Sequence, residues 1–431
     1  MTPSNYPSLP VWSPKRIYIL QRGFYTLIAA QFLSALADNA LLLLVISLLQ
    51  MQQQAAFWIP LIKVMFTLSY VISGPWVGAW SDNQPKHKVM MQANGIKIVA
   101  CMALLTGLDP IISFAITGLG AAIYAPAKYG LVTELVSSDQ LVHANAWIEV
   151  SAVCAALIGF MLGGSLVADL WLHSDAYQYL DKLLPFNQLL SLSIFIVLIL
   201  YSISALINLQ IPDSGKRYEP SNWNLKNVWR SFREDQRKLW SDPLGSISLT
   251  VTCLFWGVGA IMQLLVLVWA QSMLDLNLTQ SAYLQACSAI GVVIGATLAA
   301  RYVAINHAPN VLIAGIGLGV LLPLMTIVSD WYLAVLLTIG LGVLGGFFVV
   351  PMNALLQARG VKLLSAGRSI SVQNSCENSS VLLMLCGYSL LVFLNIPVEG
   401  LIWSLSILIV TGMGLTTWRH LRISNSIFIR R

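Results

Sequence analysis

Six charged side chains lie inside long apolar stretches of the sequence, where a charge is energetically expensive. They are Asp38, Lys63, Lys97, Lys128, Glu149 and Glu377. A charge at the middle of a bilayer costs at least ~2.5–3.5 kcal/mol, so such residues are rare and usually functional. Three of them are basic and three are acidic, so they could neutralise one another if they faced one cavity. The pattern indicates a polar pathway through a membrane protein.

The composition agrees with a membrane protein. Of 431 residues, 57% are hydrophobic and 10% are charged, whereas soluble domains carry roughly 25% charged residues. An apolar helix needs ~20 residues to cross the hydrocarbon. Twelve such stretches occur, at roughly 23–49, 57–80, 89–108, 111–133, 143–167, 188–210, 246–272, 281–304, 310–328, 331–357, 366–394 and 399–420. These stretches are too long for barrel strands, so the sequence predicts an all-α polytopic fold.

The basic residues are concentrated on one side of the predicted membrane. If the N-terminus lies inside, twenty of the 24 Lys and Arg residues fall in cytoplasmic segments, and the outside loops hold only Lys182. This excess is typical of cytoplasmic loops, so we expect both termini in the cytoplasm. The net charge of +6 then reflects topology, and we expect no nucleic-acid partner. The tail Arg419–Arg431 is either a plain stop-transfer anchor or a contact for anionic membrane lipids.

The two halves of the sequence resemble each other at corresponding places. Span four reads GAAIYAPAKYGLVTE and span ten reads GGFFVVPMNALLQAR. Aligning them places Pro126 on Pro351 and Lys128 on Asn353. A proline inside a helix frees a backbone carbonyl and kinks the helix, so both prolines could shape the polar pathway.

The next spans of each half align as well. Span five reads HANAWIEVS and span eleven reads SVQNSCENS, which places Asn145 on Gln373 and Glu149 on Glu377. We therefore expect two six-helix bundles in parallel repeat. The predicted units are an N-terminal bundle over 1–210, a cytoplasmic linker over 211–245 and a C-terminal bundle over 246–431. The linker is amphipathic, so it forms either a helix on the membrane surface or a simple tether.

Polar residues fall on shared helical faces. Gln31, Ser34 and Asp38 lie on one face of span one by their steps of three and four, with Asn39 beside them. Asp38 lies midway along the span, too deep to reach the surface. It is either a site residue or one partner of a structural salt bridge.

The basic residues within the spans differ in depth. Lys128 follows Pro126 by two residues, and it either faces the cavity or extends to the cytoplasmic surface. Lys63 is close to the outer end of span two, so we expect it to snorkel outward. Lys97 belongs to a polar face on span three, whereas Gln263 on span seven has only a neutral amide.

The loop after span two carries a charge pattern. It reads GAWSDNQPKHKVM, with Asp82 followed by Lys86 and Lys88. It resembles the loop between helices two and three of the major facilitator superfamily, although the usual arginine is missing. In that family these charges pair with neighbouring helix ends in one conformation. An ordinary basic turn is the alternative.

Six segments together resemble one branch of this superfamily, the bacterial lysophospholipid transporters. They are AQFLSALADNALLLL, VMMQANGIKIVA, GLGAAIYAPAKYGLVTEL, FWGVGA, GGFFVVPMNALLQARG and SVQNSCENSSVLLML, in the family's order. The resemblance implies the major facilitator fold with twelve helices. It also implies transport of lysophosphatidylethanolamine and lysophosphatidylglycerol from the outer to the inner leaflet of the bacterial inner membrane. There a separate acyltransferase/acyl-carrier-protein synthetase would restore the missing chain.

The resemblance also assigns residues. The acid of the ADN motif is Asp38, the lysine of PAKYG is Lys128, and the carboxylates of spans five and eleven are Glu149 and Glu377. The expected substrate-binding residues are Asp38, Asn39, Lys128, Glu149, Gln263, Asn353, Gln373 and Glu377, and the expected supporting or gating residues are Asp82, Lys86, Lys97, Asn145, Pro126 and Pro351. The family has an arginine where this chain has Gln263. Lys128, or after it Lys97, would therefore have to supply the cation for the phosphate.

The sequence has no nucleotide-binding or hydrolase motif, so transport would be secondary and the protein would not be an enzyme. No cofactor or metal is expected, and the carboxylates are possible sites for a coupling Na⁺ or H⁺. We expect a monomer. Two alternatives stay open: a major facilitator efflux pump or symporter for a small soluble substrate, and a non-transporting scaffold for an acyltransferase.

Overall fold

The computed structural model describes residues 14–54, 58–186, 188–218 and 225–429, and the described secondary structure is helical. The α-helices are α1 (Pro14–Met51), α2 (Trp58–Asn83), α3 (Lys86–Leu105), α4 (Pro110–Leu135), α5 (Leu141–Leu166), α6 (Asp169–Leu172), α7 (Asp175–Asp181), α8 (Ser191–Leu209), α9 (Leu225–Ser241), α10 (Pro243–Met273), α11 (Leu278–Tyr302), α12 (Leu312–Leu321), α13 (Trp331–Leu363), α14 (Ala366–Phe393) and α15 (Val398–Ile429). Short 3₁₀ helices cover Ser138–Gln140, Ile305–Val311 and Leu322–Thr326.

Twelve spans within the described residues are long and apolar enough to cross a membrane, which confirms the predicted number. Successive spans alternate in direction, so α1 begins and α15 ends on the same side. We call this the terminal side; it also holds α9 and the α2–α3 and α13–α14 connections. The opposite side is the distal side.

Proline explains where two elements depart from the predicted spans. Span nine was predicted as one helix, but α12 is flanked by two 3₁₀ segments that contain Pro309 and Pro323. Each proline lacks an N–H and disfavours the α conformation of the residue before it. At α3 the helix begins at Lys86, three residues earlier than predicted, because extended Pro85 precedes it.

The helices pack in two groups that meet along a seam. In the first group α1 packs on α5 and α8, while α3 packs on α4 and α8. In the second group α11 packs on α13, and α10 packs on α13, α14 and α15. The seam is formed by α2 and α4 against α14, and by α5 against α11 and α13. The polar residues of spans four, five, ten and eleven therefore lie on helices that form the seam.

Glycines bring α11 and α13 into backbone contact. A Cβ added at Gly295 would lie 2.1 Å from the carbonyl oxygen of Val343, and one added at Gly346 would lie 2.2 Å from that of Val292. Close approach of this kind is how helices pack where lipid offers no hydrophobic drive. These two helices therefore form a rigid wall of the second group.

The predicted amphipathic helix of the linker is present as α9. It packs at the terminal-side end of the seam, against α2, α10 and α14. The ring of Trp229 lies 5.6 Å from that of Trp76 on α2, nearly perpendicular to it. On the other half, the Arg368 guanidinium of α14 donates to Asp235 at 2.6 Å. Burial raises the pKa of Asp235, and the guanidinium opposes that rise. Because α9 contacts both halves, it is more than a tether.

Candidate functional site

A buried charge network joins the two halves on the terminal side. Asp82, at the end of α2, accepts hydrogen bonds from the backbone N–H groups of Gly367 (2.9 Å) and Arg368 (3.1 Å) at the start of α14. A carboxylate is favourable at a helix N-terminus, because unpaired N–H groups and the helix dipole meet there. Lys86 Nζ lies 2.9 Å from Asp82 and 3.4 Å from Glu134. The loop pattern predicted from the sequence therefore forms a real contact between the halves.

A second polar contact crosses the seam between α5 and α13. The side chains of Asn145 and Gln357 exchange two hydrogen bonds, of 2.9 and 2.8 Å, and both are buried. Nearby, the Ser371 hydroxyl donates to the backbone oxygen of Gly74. These contacts and the Asp82 network close the terminal side. Asn145 therefore lies at a contact between the two halves, and its gating role stays a prediction.

Asp38 is paired with Lys97 inside the first half. The Lys97 ammonium lies 2.8 Å from both carboxylate oxygens and 3.0 Å from the Ser34 hydroxyl. The Tyr201 hydroxyl donates to Asp38 Oδ1 at 2.7 Å. Lys97 has a relative exposure of only 1%, whereas the Asp38 side chain has 19%. A buried ammonium already paired with a carboxylate is poorly placed to bind phosphate, so the expectation for Lys97 is not supported.

Gly120 of α4 leaves space for the side chain of Lys97 in the Asp38–Lys97 pair. A Cβ at Gly120 would lie 2.7 Å from Lys97 Cγ, so any side chain there would displace the lysine stem. The rings of Tyr124 and Tyr201 each lie 5.4 Å from the ammonium, within range of a cation–π interaction. The ion pair is therefore held on three sides by α1, α4 and α8.

Lys128 points toward α1, not toward the terminal surface, so the snorkelling alternative is wrong. Its ammonium donates to Gln31 Oε1 at 3.2 Å and lies 4.2 Å from the centre of the Tyr129 ring. Gln31 in turn donates to the Ser151 hydroxyl at 2.9 Å. Glu149 interacts with Lys128 electrostatically but is not within ion-pair distance. The ammonium thus retains unused hydrogen-bonding capacity.

The second half presents acceptors. Gln373 donates to Glu377 Oε1 at 2.8 Å and to Asn353 Oδ1 at 3.0 Å. Among the described residues, no Lys or Arg lies within 4 Å of Glu377, and the buried Oε1 of Gln373 has no hydrogen-bond partner. Glu149 and Glu377 interact electrostatically across the seam. Lys128 on α4 and Glu377 on α14 therefore lie on helices that meet at the seam, and neither forms an ion pair within 4 Å among the described residues.

Three predicted site residues lie outside this arrangement. Asn39 donates to the Ala35 backbone oxygen of its own helix, and its Cβ packs at the position of Gly159 on α5. Pro126 and Pro351 are buried within α4 and α13, which continue past them as helices. In the part of the chain that the structure describes, no group of His, Cys, Asp and Glu residues could hold a metal.

Lys63 contradicts the expectation that it snorkels outward. Its ammonium donates to Gln263 Oε1 of the other half at 2.7 Å. Both side chains are exposed. This pair joins α2 to α10 across the seam, on the distal side of the central residues.

Sequence reasoning missed two residues that complete the site. Tyr201 is a single tyrosine in a span of serines and aliphatic residues, so nothing in its spacing connects it with Asp38. Tyr129 directly follows Lys128, and residues one apart do not share a helical face. Gln31 could be found, because it lies on the Asp38 face, although its bond to Lys128 could not.

Two helical bundles that close on one side around buried polar groups define a transporter class. A family model of the Major Facilitator Superfamily matches residues 27–384, and the chain belongs to this superfamily of multi-pass membrane transporters. It is 37% identical to the lysophospholipid transporter LplT of Shigella flexneri over 426 residues, covering 97% of this chain and 100% of the relative. It is also 37% identical to LplT of Yersinia enterocolitica over 383 residues, covering 88% and 90%. The predicted family resemblance and fold class are confirmed.

Solved structures agree with the fold. The human organic anion transporter MFSD10 is similar with a TM-score of 0.74 at 16% identity, covering 94% of this chain and 100% of that one. A bacterial homologue of the iron transporter ferroportin gives 0.69 at 17% identity, with coverages of 94% and 100%. The Escherichia coli fucose:proton symporter FucP gives 0.69 at 15%, with coverages of 93% and 99%. At these identities the similarity concerns the fold alone.

Proposed function

We propose that the protein moves lysophospholipids from the outer to the inner leaflet of the bacterial inner membrane by alternating access. The observation that carries this proposal is similarity over 97% of the chain to a relative named as a lysophospholipid transporter. The fold and its buried charged residues alone would suit many substrates, because a fold does not fix a substrate. The chemistry of the seam supports the lipid headgroup.

A lysophosphatidylethanolamine headgroup needs a cation for its phosphate and acceptors for its ammonium. Lys128 offers the cation from the first half. Glu377 and the unpartnered Oε1 of Gln373 offer acceptors from the second. Desolvating either charge without a partner would cost several kcal/mol. A headgroup bound between the halves would therefore satisfy both.

The distribution of basic residues indicates which side of the protein faces the cytoplasm. In the predicted topology, twenty of the 24 basic residues fall in segments on the side of the chain termini, so we assign the terminal side to the cytoplasm, with both chain termini there. The terminal side is closed by the Asp82 and Asn145 contacts. In this state the substrate would arrive from the distal, outer side. The halves 1–210 and 246–431 would then rock about the seam, connected by 211–245.

Coupling and reacylation extend the proposal. Glu149 and Glu377 are candidate sites for a coupling Na⁺ or H⁺, because neither forms an ion pair within 4 Å among the described residues. The delivered lipid would be reacylated by a separate acyltransferase/acyl-carrier-protein synthetase. We expect the transporter to act as a monomer.

The test is uptake of labelled lysophosphatidylethanolamine into spheroplasts with and without the protein. We expect faster uptake with the parent protein, a loss of at least tenfold with Lys128→Gln, and no change with Lys182→Gln, an exposed distal-side lysine outside the spans. Uptake that is equal with and without the protein would reject lysophospholipid transport. Parent-like uptake by Lys128→Gln at matched expression would reject the assigned site.

A further inference from the structure

We propose that Lys63 and Gln263 form an anion-receiving site on the distal side, which binds the phosphate of the incoming lipid before it reaches Lys128. The inference rests on the proposed function and adds a second, earlier phosphate site to it. It begins from a contact that crosses the seam: the Lys63 ammonium of α2 donates to Gln263 of α10 at 2.7 Å.

Lys63 is the available cation of the distal half. Of the Lys and Arg residues in the described spans, it lies nearest to the distal end of its helix. Farther in, Lys97 is neutralised by Asp38. No described carboxylate pairs with Lys63 or interacts with it electrostatically. Its charge is therefore not cancelled by the protein.

The pair offers several donors to an anion. One N–H of the ammonium is used by Gln263 Oε1, which leaves two, and the Gln263 amide contributes two more. Both side chains are exposed, so a ligand can reach them without repacking the helices. Donors from both halves that converge on one point, with a charge among them, suit a phosphate oxygen.

The depth of the residues orders the two cations along the path. Lys63 lies five residues from the distal end of α2 at Trp58, about 8 Å down the helix at 1.5 Å per residue. Lys128 lies 18 residues from the distal end of α4 at Pro110, about 27 Å down. A phosphate that entered from the distal side would meet Lys63 first. A single acyl chain could remain in the lipid while the headgroup moved inward.

The first experiment measures initial uptake of lysophosphatidylglycerol against its concentration. This lipid carries a phosphate and no ammonium, so it probes the cations alone. We expect Lys63→Gln to raise KM about tenfold, since one charge-assisted hydrogen bond is lost, and to change kcat little. Lys182→Gln, which removes another exposed distal lysine, is the matched control and should behave like the parent.

Two further variants separate charge from shape. Gln263→Glu would pair Lys63 with a carboxylate, so it should raise KM as Lys63→Gln does. The exchange Lys63→Gln/Gln263→Lys restores the same two side chains in swapped positions and should bring KM to within about threefold of the parent. Because the site is exposed, the parent's KM should rise with salt, and Lys63→Gln should lose that dependence.

The second experiment reads the site without transport. In a cysteine-free background, Gln263→Cys, which keeps the Lys63 ammonium, should react with a membrane-impermeant thiol reagent added outside. Lysophosphatidylglycerol should protect it, and inorganic phosphate or monoacylglycerol at the same concentration should not. Protection by inorganic phosphate alone would overturn the assignment to a lipid.

The outcomes distinguish the two proposals. If the parent takes up no lysophospholipid, the proposed function fails. If the parent transports and Lys63→Gln has the parent's KM and salt dependence, the receiving site alone fails. A Gln263→Cys that does not react from outside would also overturn the site.

Discussion

The Asp38–Lys97 pair predicts a large loss of stability when only its negative charge is removed. Asp38→Asn keeps an oxygen that can accept from Tyr201. It leaves the Lys97 ammonium, 1% exposed, with the neutral Ser34 hydroxyl as its remaining described acceptor. Removing one partner of a buried pair costs about 3–5 kcal/mol. Because Asp38 is 19% exposed, we expect the lower end, about 3 kcal/mol.

The matched control removes both charges. In Asp38→Asn/Lys97→Gln no ammonium is left unpaired, so stability should return to within about 1 kcal/mol of the parent, since replacing a whole buried pair is often neutral. Lys97→Gln alone should cost less than Asp38→Asn, because the carboxylate it leaves is partly exposed and keeps the Tyr201 hydroxyl.

The assay is thermal unfolding in detergent, followed by the fraction that remains monodisperse on gel filtration. A melting temperature of Asp38→Asn equal to that of the parent would refute the reasoning. So would a double variant no more stable than Asp38→Asn. Uptake by the stable double variant then shows whether the charge at Asp38 does more than neutralise Lys97.

Three further predictions concern the seam and the helix contacts. In a cysteine-free background, Gly74→Cys/Ser375→Cys should form a disulfide and block uptake until a reductant is added. The two Cβ atoms would lie 3.2 Å apart, so a small shift of the helices brings them to the roughly 3.5–4.5 Å usual for a disulfide. Cross-linking with unchanged uptake would contradict rocking of the halves. Arg368→Gln removes the partner of Asp235, the buried carboxylate of α9, and should increase protease cleavage within α9. An unchanged cleavage rate would show that the contact with Trp76 holds α9 in place without this ion pair. Gly295→Val should lower the melting temperature strongly, because a Cβ at this position would overlap the backbone of Val343 on α13. Gly259→Ala should change the melting temperature little, because no atom lies within 4 Å of a Cβ there. Equal effects of the two substitutions would contradict backbone contact between α11 and α13.

The helices and their order could be predicted from the sequence because the requirement to span a bilayer acts locally. An apolar stretch of sufficient length must be helical wherever it packs. Proline shows the limit of that argument: Pro126 and Pro351 stay within continuous helices, while Pro309 and Pro323 accompany 3₁₀ turns. The presence of a proline alone therefore does not decide whether a helix continues.

The identity of the charged residues could be predicted, but not their pairing. Asp38 and Lys97 are 59 positions apart, and their contact depends on how α1 and α3 rotate about their axes. Lys63 shows the same limit, because its depth suggested an outward side chain and its partner Gln263 lies 200 positions away. Helical spacing fixes which residues share a face; the opposing helix decides which of them meet.

The closed terminal side has a consequence for affinity. In the proposed alternating-access cycle, the contacts of Asp82 and Asn145 between the two halves stabilise the state that receives the ligand from the distal side, and they would break when the terminal side opens. The packing of Trp229 on Trp76 stabilises α9 in the same state. When only a fraction of molecules can bind, the apparent Kd equals the intrinsic Kd divided by that fraction. A variant that reduces this population tenfold therefore weakens binding from the distal side tenfold, although the altered residue never touches the lipid. In the proposed cycle, α9 would therefore contribute to affinity by stabilising one conformation.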